Sequence, residues 1–169
     1  MIDLLISKTQ ESNIDKIISM EMNSENSQFI FPNSREEHKN LIKDENIEHL
    51  LLKSKNNKII GFVILAGLKD QNRNIEFRRI IISEKGKGFG RLAIIKLKQY
   101  CFEKLNCHRL WLDVLETNER ARHLYQTEGF KDEGKLRECV LIDDDFENLI
   151  IMSILENEYK NTTANNGYK

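Results

Sequence analysis

One stretch of the chain combines the residue types that hold phosphate: Arg79-Ile80-Ile81-Ile82-Ser83-Glu84-Lys85-Gly86-Lys87-Gly88-Phe89-Gly90-Arg91. A β-branched run passes through glycines into a segment of helical period. Glycine lets successive backbone N–H groups turn into one concavity, a helix start adds partial positive charge, and Lys85, Lys87 and Arg91 add full charges. That combination suits a phosphate or a diphosphate. No Gly-Lys-Ser/Thr ending marks a P-loop, and the spacing is G-x-G-x-G, not the dinucleotide G-x-G-x-x-G, so a nucleoside triphosphate or NAD is disfavoured. Taken alone, the glycines also fit a plain tight connection between strand and helix. Other reactive residue types lack partners: Ser83 has no Gly-x-Ser-x-Gly context, and His108 and His123 have no companions for a nucleophile triad.

The flanking elements follow from periodicity. Leu4–Lys8 reads as a strand, and Ser12-Asn13 caps a helix whose apolar face is Ile14, Ile17 and Ile18. The polar stretch 23–34 contains the single proline, Pro32, and suits the wall of a substrate pocket; Ser34 with Glu37 then forms a capping box for a second helix. Residues 48–53 and 58–68 read as a hairpin about the turn 55–58, and 75–82 as the next strand. From Gly88, the spacing of Ala93, Leu97, Cys101 and Leu105 sets an amphipathic helix. Residues 109–115 alternate as a strand, with Trp111 read as core. Asn118 to Glu128 is a short helix that Asn118 caps and Gly129 ends, and 130–140 with 146–156 form a last strand pair around Asp143-Asp144-Asp145.

Composition limits the function classes. With 169 residues, 40% hydrophobic, 31% charged and a net charge of −1, the chain suits one soluble domain that buries roughly two-thirds of its unfolded surface. We expect a single domain over 1–160 and a disordered tail over 161–169. A strong nucleic-acid field is not expected. Residues 70–109 carry ten Lys/Arg against four Asp/Glu, and residues 131–160 four against nine, so an anion site in the middle and a cation site near the end are one reading; solvated faces are the other. Three cysteines without C-x-x-C spacing or clustered histidines argue against a disulfide framework or a metal site. No apolar run reaches the roughly 18 residues of a membrane span, and a cytoplasmic protein is expected.

Lys85-x-x-Gly88-x-Gly90 after a strand resembles the Arg/Gln-x-x-Gly-x-Gly/Ala turn of the GNAT superfamily of acyl-CoA N-acyltransferases, with Lys where Arg or Gln is usual. Downstream, Asn118-Glu119-Arg120-Ala121-Arg122-His123-Leu124-Tyr125-Gln126-Thr127-Glu128-Gly129-Phe130 resembles that family's N-x-x-A-x-x-L-Y-x-x-x-G-F segment. Residues 133–138 are similar to the branch with ribosomal-protein N-terminal and polyamine acetyltransferases. The resemblance covers about residues 48–157.

It implies an α/β fold: a mixed, mostly antiparallel sheet of six or seven strands flanked by about four helices, with a cleft where two central strands part. It implies acetyl-CoA as cosubstrate and a primary amine as acceptor, whether a polyamine, an amino sugar or a protein N-terminus. Backbone N–H groups of Lys85, Gly86, Lys87, Gly88, Phe89, Gly90 and Arg91 would hold the diphosphate, Ile80 and Ile82 would pair with the pantetheine arm, and Asn118 would bond that arm from the other side. Tyr125 is the position of the general acid, because a phenol with an ordinary pKa near 10 stays protonated at pH 7. The attacking ammonium must lose a proton, and Glu76, on the same strand face as Arg78, Ile80 and Ile82, is the candidate base; an exposed Glu paired with arginine is the alternative. Asp143-Asp144-Asp145 as an acidic lip would suit a cationic acceptor. A homodimer is possible. A non-catalytic acetyl-CoA sensor with the same fold is the rival reading.

Overall fold

Residues 3–165 are described by a computed structural model. The elements are β1 (Leu4–Lys8), α1 (Ile14–Glu21), α2 (Ser24–Ser27), α3 (Arg35–Lys43), β2 (Ile47–Ser54), β3 (Ile59–Ala66), β4 (Asn74–Ile82), α4 (Phe89–Gln99), β5 (Arg109–Leu115), α5 (Glu119–Thr127), β6 (Lys131–Ile142), β7 (Asp145–Leu155) and α6 (Glu156–Asn165). The strands are ordered β1-β2-β3-β4-β5-β7-β6 in one seven-stranded sheet. Pairing is antiparallel at β1–β2, β2–β3, β5–β7 and β6–β7, and parallel at β4–β5.

The α/β class and strand count agree with the sequence reading, but two further helices are present. α2 is a single turn inside the polar stretch, started by Asn23, whose side chain accepts from Glu25 N–H at 3.0 Å. α6 is so polar that its sequence reads as a tail, yet Glu158 caps it by accepting Leu155 N–H at 2.9 Å. α6 runs to Asn165, and residues 166–169 of the expected tail lie outside the described residues. Asn13 does not cap α1 through its side chain, because that carbonyl accepts from Gln10 N–H at 3.0 Å instead.

Contacts group the chain into two parts, the first running up to Lys69 and including Phe77–Ala93. Here the β2–β3 hairpin closes through Asn57 at φ 61°, a left-handed position that asparagine tolerates. Ser34 and Glu37 exchange the two bonds of a capping box, Ser34 Oγ accepting Glu37 N–H at 3.2 Å and Glu37 Oε2 accepting Ser34 N–H at 2.6 Å. Ile17, Met20, Leu51, Phe62, Ile64 and Ile81 form the core, each worth about 1.5–3 kcal/mol of apolar burial. Gly61 is required by close approach: a Cβ there would lie 2.2 Å from the Ile81 carbonyl oxygen, far inside van der Waals contact distance.

The second part is Asp70–Glu76 with the chain from Ile94 onward. β5 pairs with β7 over its whole length, and β7 with β6 through two register shifts. Asp143 and Asp144 close that hairpin at φ 48° and 68°, both left-handed as in a type I′ turn. After Gln99 the helix widens to a π turn, Tyr100–Lys104, where Phe102 stacks on Tyr159 at 4.7 Å and the Tyr159 hydroxyl donates to Glu103 at 2.7 Å. Lys98, buried, donates to the Glu128 carbonyl at 2.5 Å and meets its carboxylate at 3.2 Å, pinning the end of α5. Among the described residues no helix is long and apolar enough to cross a membrane.

Candidate active site

In the first part, β4 delivers Ile80 and Ile82, both half-buried, directly to the glycine turn. Ser83 anchors its entry: backbone N–H and hydroxyl both donate to Ile60 O at 2.8 Å. Gly86 (φ 77°) and Gly88 (φ 80°) both take the left-handed conformation that other residues resist. Leu92 N–H then makes the first α4 bond, donating to Gly88 O at 3.1 Å. Helix geometry gives the N–H groups of Phe89 and Gly90, at the start of α4, no intrahelical acceptor, and the first turn of α4 holds no acidic residue. This surface fits a diphosphate.

The lysine side chains are arranged differently from the sequence picture. Lys85 Nζ donates to Glu25 O at 2.8 Å and meets the Glu25 carboxylate at 3.3 Å. Lys87 and Lys58 both engage Glu84, at 3.2 and 2.5 Å, and their hydrogen bonds hold its carboxyl below the usual range. Their ammonium groups brace the turn.

In the second part, the β4–β5 ladder pairs Asn74 with Arg109, Ile75 with Leu110 and Glu76 with Trp111. Registered residues of parallel strands face the same side, and Asp113, two positions beyond Trp111, shares that face with Glu76. Trp111 is half-buried, not core, with the Arg109 guanidinium 5.5 Å from its ring. Asn118 caps α5, its side chain accepting Ala121 N–H at 3.3 Å. Tyr125, 8% exposed, lies 5.7 Å from the Phe130 ring, and its carbonyl accepts Phe130 N–H at 3.0 Å past Gly129 at φ 94°.

Electrostatics couples three of these groups. Burial, and then the negative charge of Asp113, pushes the Tyr125 phenol well above its ordinary range, so it stays protonated at every physiological pH. Burial, and then Glu76, raises the Asp113 carboxyl in turn. Sequence reasoning missed Asp113, which alternation presents as an ordinary polar position on a strand.

A cavity of about 340 Å³ opens in the first part, lined by Asn33, Glu37, Asn40, Leu41, Asp44, Ile64, Arg78 and Arg79. The polar stretch singled out as a pocket wall contributes Asn33 to it. No group of three or more His, Cys, Asp or Glu suited to a metal ion occurs among the described residues.

The fold and this strand–turn–helix are those of the N-acyltransferases. The chain belongs to the acetyltransferase (GNAT) family, whose model matches residues 16–130. It is 38% identical over 104 residues to spermidine N(1)-acetyltransferase of Vibrio cholerae serotype O1, covering 61% of this chain and 60% of that protein. The chain thus aligns with less than two-thirds of the length of that relative. Among solved structures, spermidine N-acetyltransferase from Vibrio cholerae in complex with CoA and spermine superimposes with a TM-score of 0.84 at 29% identity, covering 93% of this chain and 98% of that one. A dodecameric structure of the Vibrio cholerae enzyme in an intermediate state gives 0.82 at 28% identity, covering 95% and 98%.

Proposed function

We propose that this protein transfers the acetyl group of acetyl-CoA directly to a primary amine of a polyamine. The observation that carries this reading is the left-handed pair Gly86 and Gly88 opening into the acid-free first turn of α4, a main-chain cradle for the coenzyme diphosphate. Ile80 and Ile82 on the strand leading into it, and Asn118 at the start of α5, are assigned to the pantetheine arm. Tyr125 is assigned as the acid that protonates the departing thiolate. Glu76 takes the proton of the attacking amine, and Asp113 beside it adds negative charge where the ammonium approaches.

A polyamine is favoured over other amines by two observations. The 340 Å³ cavity presents Glu37, Asp44 and two asparagine amides opposite the charges of Arg78 and Arg79 in the same lining, and Glu37 is held ionised by its bonds with Ser34. The Vibrio cholerae relatives are named for spermidine, and one is solved with spermine. The three cysteines are free, as suits a reducing cytosol. Self-association is also proposed, following the dodecameric relative, and light scattering after gel filtration reads its size.

Incubation of the pure protein with acetyl-CoA and spermidine, spermine, aminoglycosides, amino sugars or N-terminal peptides tests the reading through release of free thiol. Release with the polyamines above the other amines supports it. Release only with a peptide or an amino sugar overturns the acceptor, and tight acetyl-CoA binding without turnover across the panel turns the protein into a sensor.

A further inference from the structure

Inside the apolar core of the first part runs a file of polar side chains that the reaction does not use. Thr9 Oγ1 lies 3.0 Å from His49 Nδ1, His49 Nε2 lies 3.1 Å from His38 Nδ1, and His38 Nε2 lies 3.2 Å from Glu21 Oε2. Glu21 and His38 are fully buried, and His49 is 5% exposed. The far end of the file holds the cavity. Glu21 Oε1 binds the Arg79 guanidinium, Glu21 Oε2 also accepts Asn33 N–H at 2.9 Å, and Arg79 donates in addition to Phe31 O at 2.8 Å. Arg79 and Asn33 are both in the cavity wall.

Counting donors shows what the file does. An ionised Glu21 only accepts, so His38 Nε2 must carry a proton. With both rings neutral, His38 Nδ1 then accepts from His49 Nε2, and His49 Nδ1 accepts from the Thr9 hydroxyl. Add one proton, and His38 donates from both nitrogens while His49 accepts at Nε2 and donates to Thr9 from Nδ1. Each of the three contacts remains a hydrogen bond in both arrangements, with the two beyond His38 reversed in direction. A second proton would set two donors against each other across the 3.1 Å gap. In agreement, burial and then the charge on His38 lower the His49 pKa to about 4.

We propose that His38 and His49 are positioning residues for the cavity: a relay of one proton whose occupancy sets, through Glu21, how Arg79 and Asn33 stand in its wall. This rests on the polyamine reading of the cavity. When His38 is charged, Glu21 is shared between two cations, Arg79 is less compensated, and the cavity repels a cationic acceptor. The charged groups facing the pair among the described residues are Glu21 from α1, Arg79 from β4 and Glu37 on α3, whose carboxylate is tied to Ser34; β3 contributes the apolar Phe62, stacked on His49 at 5.5 Å. A polyamine's terminal amines, with pKa values near 10, stay charged between about pH 8 and pH 5, so a change of affinity in that window belongs to the protein.

Two measurements test the relay, the first without any turnover. NMR of the substrate-free protein follows the ring protons of His38 and His49 and the Arg79 Nε–H signal from about pH 8 to pH 5. The expected result is uptake of one proton by the pair, with the Arg79 signal moving at the same midpoint; uptake of two protons, or an Arg79 signal that ignores the titration, overturns the proposal. The second measurement is the KM for spermidine over the same range. It should rise about fivefold or more toward pH 5 in the native protein. In His38→Gln, KM should lose that slope while kcat keeps its own pH dependence from amine deprotonation; a native KM profile in this variant overturns the proposal. Thr9→Val, a milder change at the other end of the file, should shift the midpoint of the NMR titration if His38→Gln does not fold, and an unmoved midpoint counts against the relay. Absence of any spermidine acetylation would sink the acceptor reading and leave the NMR result to decide the relay alone.

Discussion

Around the turn from Ser83 to Gly88 the groups assigned to the coenzyme are main-chain donors, and the side chains of Lys85 and Lys87 brace the loop. Around α5 the relation is reversed: the backbone is bonded within helix, cap and ladder, and the proposed chemistry is assigned to one phenol and two carboxylates, Tyr125, Asp113 and Glu76. A site built from backbone is set by conformation and depends little on which side chains surround it. A site built from side chains depends on single atoms and on pH. Sensitivity to substitution should therefore differ in kind between the two regions.

The sharpest way to break that contrast is Tyr125→Phe. Loss of the hydroxyl should lower kcat by about 10²-fold or more, as loss of a general acid does, with little change in acetyl-CoA affinity by calorimetry. An unchanged kcat would remove Tyr125 as the acid. The pH dependence of stability comes next. His49 has a folded pKa of about 4 against 6.5 for a free imidazole, so the unfolded chain binds more protons between those values. The contribution is complete above pH 6.5 and is lost as pH falls toward 4, amounting to about 3 kcal/mol, readable from urea midpoints at the two ends of the window.

Smaller effects belong to the turn. Gly88→Ala forces a side chain into a left-handed position and should cost about 1 kcal/mol of stability, with acetyl-CoA affinity falling several-fold in calorimetry. Lys85→Ala, which removes a brace and leaves every main-chain donor in place, should change that affinity by less than about threefold. If Lys85→Ala were as damaging as Gly88→Ala, the side chain and not the backbone would be holding the coenzyme.

What could be read from the sequence was whatever depends on near neighbours. The Ser34–Glu37 capping box, the strand Arg109–Leu115, the Asn118 cap and the Gly129 stop are signals confined to a few residues, and each stands where its pattern places it. The buried file was not readable, because Thr9, Glu21, His38, His49 and Arg79 come from separate elements and no spacing announces that they meet. Asp113 escaped for a related reason: its significance comes from a parallel register with β4, which pairs residues far apart in the chain. The bracing roles of Lys85 and Lys87 were hidden by their proximity to an anion-binding turn, where a free positive charge is the simplest expectation.

Gly61 offers a practical yardstick. Since even one methyl group there collides with the Ile81 carbonyl, a saturation library should leave position 61 blank for every replacement, whatever its chemistry. Scoring other positions against that blank column would separate variants that lose their shape from variants that keep it and lose only the proposed acetyl transfer.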